Sequence, residues 1–302
     1  RANILREFLT HSTKANRFDH KEIKDVMDLC LSCKGCKSEC PSNVDMAKLK
    51  AEFLQHYYDA NGVPLRSRMI ANFGNFSKLG AIVPGVYNFF MTNKWLSNAV
   101  KSFAGFAKDR SMPTLYSTTL KKWYKKHQRN KNKTATRKVH LFCDEFTNYN
   151  DTEIGIKAVQ LLEKLGYEVI IPAHTESGRA WMSKGLLRKA KAIAETNVRM
   201  LAPVISEDAP LIGIEPSAIL TFRDEYPDLV GDELLSDAKM LAGRVFTVDE
   251  FLSNEADKGN ITPGAFTSEK RQVVLHGHCQ QKAMSSVAFS VKILSLPQNY
   301  SV

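Results

Sequence analysis

Cys30, Cys33, Cys36 and Cys40 stand in the run CLSCKGCKSECP, spaced C-x2-C-x2-C-x3-C-P, and are four of the chain's six cysteines. Thiols in such numbers serve as disulfide partners, nucleophiles or metal ligands. Neighbours two or three residues apart seldom reach disulfide geometry without strain, so a metal centre is the economical reading. Spacing selects the metal. Three thiolates at C-x2-C-x2-C wrap one corner of a cubane, and the whole run through Pro41 is a 4Fe-4S ligand pattern. Zinc sites more often use two separated C-x2-C knuckles or add histidines, and structural zinc stays as the alternative.

In two-cluster ferredoxins of this spacing the cysteine before the proline ligates the other cluster. Cys30, Cys33 and Cys36 then hold one cluster and need a further ligand, while Cys40 serves a second. Only Cys143 and Cys279 remain, more than a hundred residues downstream. The chain opens at Arg1, without methionine, inside a helical pattern of Ile4, Leu5, Phe8 and Leu9. It reads as a fragment of a longer polypeptide, with a second cysteine motif expected upstream.

The elements that must position the cysteines are helical. Two short helices are expected over residues 1–29, the first ending near Thr13. The second carries an apolar stripe of Phe18, Ile23, Val26, Met27 and Cys30 into the loop. Gly35 relaxes the backbone between thiolates, Pro41 ends the loop, and Asn43 is placed to cap a helix bearing Val44, Ala47, Phe53, Leu54 and Tyr57. Residues 1–62 thus form a small all-α ferredoxin-like 4Fe-4S unit. Residues 63–136 read as a helical linker or docking segment, broken by Pro and Gly. Its Phe73, Phe76, Tyr87, Phe89, Phe90 and Met91 are expected in a core, or else on a docking face.

From residue 137 to 302 the pattern alternates: strands at Val139–Cys143, Tyr167–Ile171, Leu211–Glu215 and Gln272–Leu275, and helices at Thr152–Leu165, Met182–Leu201 and Gln280–Leu294. That alternation predicts an α/β, Rossmann-like parallel sheet, and the chain overall is α+β. Ligands of such sheets bind beyond the carboxyl ends of the strands. Cys143-Asp144-Glu145, His174 to Arg179, Glu215-Pro216-Ser217 and His276-Gly277-His278-Cys279 all fall there. Cys143, Glu215, His276, His278 and Cys279 are therefore candidate cleft or second-site residues, with Arg179 and Lys184 beside them. Ligation by His276, His278 and Cys279 is weighed against ordinary loop hydrogen bonding, and Cys143 reads better as a buried apolar thiol. The unit strand, cysteine-bearing loop, helix, strand occurs at Val139–Val169 and again from Val274 to Val302, where the second copy stops at its second strand. The carboxyl end also reads as truncated.

Composition bounds the rest. The 302 residues, 43% of them hydrophobic, suffice for a full core, and no apolar run is long enough to span a bilayer. Reduced cysteines and the lack of a signal peptide suggest a cytoplasmic protein, with peripheral association at the inner face of a membrane left open. The net charge of +10 peaks between Lys121 and Lys138, a run that includes Lys131 and Lys133. It reads as a solvated helix end and linker, and no nucleic-acid-binding motif accompanies it.

With these residues in view, the chain resembles the iron–sulfur portion of FAD-linked oxidases. That group includes the glycolate oxidase iron–sulfur subunit and D-2-hydroxyglutarate or D-lactate dehydrogenases. CLSCKGCKSECPSNVD (Cys30–Asp45), LFCDEFTN (Leu141–Asn148), GIEPSAILTFRDEY (Gly213–Tyr226) and HGHCQQKA (His276–Ala283) carry the resemblance. It implies that FAD, in a flavin domain outside these residues on the same or a partner chain, oxidises a 2-hydroxy acid. Cys30, Cys33, Cys36 and Cys40 would then help relay electrons to a quinone or redox protein, with no catalytic residue of substrate oxidation in this chain. A metal-stabilised interaction scaffold is the alternative. The α/β section resembles the cysteine-rich repeat shared with heterodisulfide reductase, marked by Cys-Cys-Gly triplets. Here Glu176 and Ser177 precede Gly178, and Ala218 follows Ser217 where a cysteine is common, so cluster or disulfide chemistry in this first half is not expected.

Overall fold

The computed structural model describes residues 2–129 and 137–302. Arg1, the basic residues Lys131 and Lys133, and the expected boundary at residue 136 lie outside the described residues. By Cα proximity the chain divides into two compact units: Arg1–Ser117 with Gly178–Ile193, and Thr118–Ser177 with Ala194–Val302.

The first unit is helical. Its helices α1 (Ala2–His11) and α2 (Lys21–Asp28) precede the cysteine run, and α3 (Gly35–Glu39) is a single short turn within that run. The fourth helix, α4 (Met46–Asn61), backs it. Leu5, Phe8, Ile23 and Met27 pack on Met46, Phe53, Leu54 and Tyr58, with Phe8 meeting Phe53 edge-on at 5.8 Å. Asp45, rather than Asn43, caps α4, its carboxylate accepting from the backbone N–H groups of Ala47 and Lys48. Asn43 has φ of 52°, in the left-handed region, whereas an N-cap residue is typically extended.

Four further helices follow: α5 (Leu65–Ala71), α6 (Phe73–Gly80), α7 (Pro84–Thr92) and α8 (Lys94–Ala104). Their aromatic residues only partly meet the expectation of a core. Phe73, Tyr87 and Met91 are half-buried, but Phe76, Phe89 and Phe90 are exposed, as are Leu79, Ile82, Trp95 and Phe103. The short helices bury small or polar residues such as Ala71, Gly74, Ser77 and Ser97 instead.

The second unit is built on a parallel sheet of β1 (Arg137–Phe142), β2 (Tyr167–Ile170), β3 (Leu211–Gly213) and β4 (Val245–Thr247), in the order β2-β1-β3-β4. Val139 pairs with Val169, His140 with Leu211, and Ile212 with Phe246. Alternate residues feed opposite cores. Val139, Leu141, Cys143, Val169 and Ile212 meet Val159, Leu162, Phe251 and Leu252 on one face. On the other, Phe142, Leu211 and Val245 meet Ala194, Val198, Phe222 and Leu241. A parallel sheet covered on both faces is the predicted α/β arrangement.

Three details differ from expectation. The helix foreseen over Met182–Leu201 is two, Arg179–Ser183 and Leu187–Leu201, divided at Gly185, whose φ is 70°. The strand foreseen at Gln272–Leu275 shrinks to β5 (Arg271–Gln272); Val273 N–H still donates to the Ser301 carbonyl, but Val274 is 92% exposed. The helix foreseen over Gln280–Leu294 is Cys279–Met284 and Val287–Leu294, restarted by a cap at Ser286. The strand β5 pairs in parallel with β6 (Tyr300–Ser301), so the second copy of the strand–loop–helix–strand unit has the same form as the first.

Candidate metal centre

The cysteine run leaves α2 at Leu29 and turns through three non-glycine residues with positive φ: Ser32 at 54°, Lys34 at 61° and Asn43 at 52°. Such backbone holds only where the surroundings fix it. Three buried cations and one carboxylate do so. The guanidinium of Arg179, buried and 147 residues away in sequence, donates from Nη2 to the Ser32 carbonyl at 3.0 Å. Lys50, on the inner face of α4, donates from Nζ to the Cys30 carbonyl at 2.6 Å. Lys34, 1% exposed, pairs with Asp45 at 3.1 Å, so one carboxylate both caps α4 and anchors the loop.

All four thiols of the run are free; Cys30, Cys33 and Cys40 are half-buried and Cys36 is exposed. The backbone N–H groups of Val44, Ser42 and Asn43 reach Cys40 and hold its thiol below the usual range, favouring thiolate. Among the described residues no three His, Cys, Asp or Glu side chains close around a single ion. A cubane takes one thiolate on each iron, so its ligands need not meet about one point. The donor set of soft thiolates, the N–H groups at Cys40 and the buried ammonium of Lys50 all suit an anionic iron–sulfur group.

The second unit gathers the other candidates at the carboxyl ends of β1 and β3, where an order of 2-1-3-4 places its topological switch point. Cys143 N–H donates to His174 Nε2 at 3.3 Å, and the Glu145 carboxylate takes Ser177 N–H at 2.9 Å and Ser177 Oγ–H at 2.7 Å. Glu215 accepts from the N–H and hydroxyl of Ser217 and stands 3.7 Å from His278 Nε2. His278 caps the helix Cys279–Met284 through Nδ1, which accepts from Gln280 N–H. His276 and Cys279 are exposed and are not drawn into this network.

Burial dominates the electrostatics there. Cys143 is 3% exposed, its thiol pushed well above the usual range by desolvation, and it donates Sγ–H to Asn148 Oδ1. Burial, with Glu145 nearby, raises Asp144 to about 7, while burial and the charge of Lys121 lower His174 to about 4. Ser177 is locked by Glu145, and its carbonyl accepts from Tyr226 Oη at 2.9 Å.

Sequence reasoning missed Lys34 and Lys50, and it placed Arg179 in the cleft when its guanidinium reaches the cysteine loop. A signal for Lys50 existed: it lies between Ala47 and Leu54 on the apolar stripe of α4.

Residues 1–45 match the family described as a 4Fe-4S dicluster domain. D-2-hydroxyglutarate dehydrogenase of Pantoea ananatis is 30% identical over 71% of this chain, and that of Escherichia coli 28% identical over 74%. The chain is similar to the iron–sulfur portion of D-2-hydroxyglutarate dehydrogenases. It spans 22% and 23% of the length of those two relatives. Lactate utilization protein A of Geobacillus thermodenitrificans is 31% identical over 43% of the chain, with 55% of that protein covered. No solved structure matches. No helix among the described residues is long and apolar enough to cross a membrane.

Proposed function

We propose that this chain is the electron-transfer portion of an FAD-dependent dehydrogenase of a 2-hydroxy acid, passing electrons from a flavin to an acceptor. The observation that carries the reading is the cysteine run, held on a strained loop by Arg179, Lys50 and the Lys34–Asp45 pair, within residues that match a dicluster domain. When bound, a 4Fe-4S cluster supplies one-electron chemistry that complements the two-electron chemistry of flavin. Cys30, Cys33 and Cys36 would ligate one cluster and Cys40 a second, with the N–H groups of residues 42–44 steadying the Cys40 sulfur.

The flavin and the site of substrate oxidation are assigned to residues outside this chain, on the same or a partner polypeptide, and the acceptor to a quinone or redox protein. The exposed apolar residues of α6–α8 support a docking role, which we assign to the flavin-bearing domain. Sedimentation of the full-length protein with anionic vesicles would instead assign that face to a membrane surface.

The test is rapid mixing of the full-length, anaerobically prepared protein with D-2-hydroxyglutarate or D-lactate. The expected result is reduction of the cluster at least as fast as turnover. A cluster that stays oxidised through many turnovers would make it a structural support for an interaction scaffold. An iron-replete, oxygen-free preparation that is colourless or loaded with zinc would end the iron–sulfur reading.

A further inference from the structure

Lys50 is a buried cation of the first unit bonded only to a carbonyl, as Lys101 is to that of Lys108. Its side chain is 4% exposed, and its hydrogen-bond acceptor is an uncharged one, the Cys30 carbonyl at 2.6 Å. Among the described residues no carboxylate forms an ion pair with it. Lys34 differs in this respect, since its buried ammonium is matched by Asp45. Burial disfavours the charged form of Lys50; of the charged groups that face it, Cys30 and Asp28 attract it and Lys184 and Arg179 repel it. Lys184 is itself partly buried, in the turn after the helix Arg179–Ser183. Burying a cation with so little counter-charge is unfavourable and favours the neutral amine, unless an anion lies close enough to hold the proton.

The position of the unpaired ammonium identifies what balances it. Lys50 touches the carbonyl of the first cysteine of the run, and Arg179 touches that of Ser32, two residues on. A thiolate-ligated cubane is anionic, and net charge is among the factors that set its potential. We infer that Lys50 is the built-in counter-ion of the cluster held by Cys30, Cys33 and Cys36, and that its charge makes that cluster easier to reduce. The inference rests on the iron–sulfur reading above. Holding the negative charge added on reduction beside a buried ammonium stabilises the reduced state, and low dielectric makes the effect larger than a surface lysine would give. Lys50 is thus a positioning residue for electron flow, acting through the field at the cluster.

The experiment is an EPR-monitored redox titration of the full-length protein, anaerobically loaded, as wild type, Lys50→Met and Lys50→Arg, with iron and sulfide measured in each. Lys50→Met is expected to disfavour reduction of one cluster by about tenfold, a shift of about 59 mV downward for a one-electron couple. Lys50→Arg, which keeps the charge, is expected to stay within about threefold of wild type. Should Lys50→Met fail to take up iron while Lys50→Arg loads normally with an unmoved potential, the need for positive charge is equally established. Overturning results are a loaded Lys50→Met protein with wild-type potential, a Lys50→Arg protein shifted as far as Lys50→Met, or loss of iron in both. Wild-type protein that loads no cluster defeats the parent reading instead, and is recognised before any variant is made.

Discussion

Arg179 and Ser32 are joined by a 3.0 Å hydrogen bond from guanidinium to carbonyl, across 147 positions of sequence. Ser32 is 3% exposed with φ of 54°, a conformation its side chain does not favour, and the bond helps hold the loop between Cys30 and Cys33 in that form. The short helix that follows Gly178 therefore reaches the cysteine loop through an arginine.

Replacing Arg179 by alanine is expected to lower stability by about 1.5–3 kcal/mol, the range for losing a buried hydrogen bond to a charged group. Chemical denaturation of the chain measures this. The same variant is expected to lose iron faster to a chelator, because the loop no longer holds its left-handed turn. Unchanged chelation kinetics alongside reduced stability would confine Arg179 to a packing role.

Gly185 gives a second prediction. Its φ is 70°, and a Cβ there would stand 2.2 Å from Cβ of Leu54 and 3.1 Å from the carbonyl of Ala51, both on α4. The contact involves atoms close to the backbone, so no rotamer change relieves it. Gly185→Ala is expected to cost about 3 kcal/mol or more and to weaken iron retention, since α4 carries Lys50 and its cap Asp45. Gly259→Ala is the control: φ there is 74°, and nothing lies within 4 Å of the added methyl. It therefore isolates the backbone cost, about 1 kcal/mol.

The sequence made the cysteine run legible because all of its ligands lie in one covalent stretch, where spacing alone limits the geometry. Strands β1, β2 and β3 were legible from apolar runs between turn signals. The strand β4 was not, because Val245–Thr247 is three residues long and Thr247 already caps the next helix. The gathering of the rim loops follows from parallel-sheet topology. The role of Arg179 does not, since its partner Ser32 lies 147 positions away and only the fold brings the two together. Buried lysines are hardest to read: Lys34 and Lys50 have the composition of surface residues, and their burial shows only in the fold, where Lys34 meets Asp45 and Lys50 the Cys30 carbonyl.

Asp144 and His174 set opposing pH dependences in the second unit. Asp144, ordinarily 3.8, is raised to about 7, so the folded state binds its proton more tightly than the unfolded state does. Its contribution is fully present below about 4 and is lost as pH rises to about 7. His174, ordinarily 6.5, is lowered to about 4, so stability falls as pH drops from 6.5 towards 4. The effects are on the order of 4 and 3 kcal/mol, and where the two ranges overlap they largely cancel. Asp144→Asn, which keeps a good helix cap, is expected to leave stability rising with pH from 4 to 6.5. His174→Gln is expected to leave stability falling from 4 to 7. Urea denaturation across that range reads both slopes, and identical profiles for the two variants would refute the assignment.

The number of clusters served by the run follows from substituting its cysteines singly and together. If Cys30, Cys33 and Cys36 hold one cluster and Cys40 another, Cys33→Ser in the full-length protein removes one cluster's iron and sulfide, and Cys40→Ser removes the other's. Their losses add, and the double variant is depleted by both. The EPR signals discriminate further: each single variant keeps a reducible cluster that the other lacks. If instead all four cysteines close around one cubane, either substitution damages the same cluster, and the double variant is no worse than the poorer single. The local structure favours the divided arrangement. Cys40 lies beyond the short helix α3, with N–H groups of residues 42–44 reaching it, while Cys30 and the loop through Ser32 are fastened separately by Lys50 and Arg179. Two attachments of independent origin at the two ends of the run suit two ligand sets, and the additive outcome is the one expected.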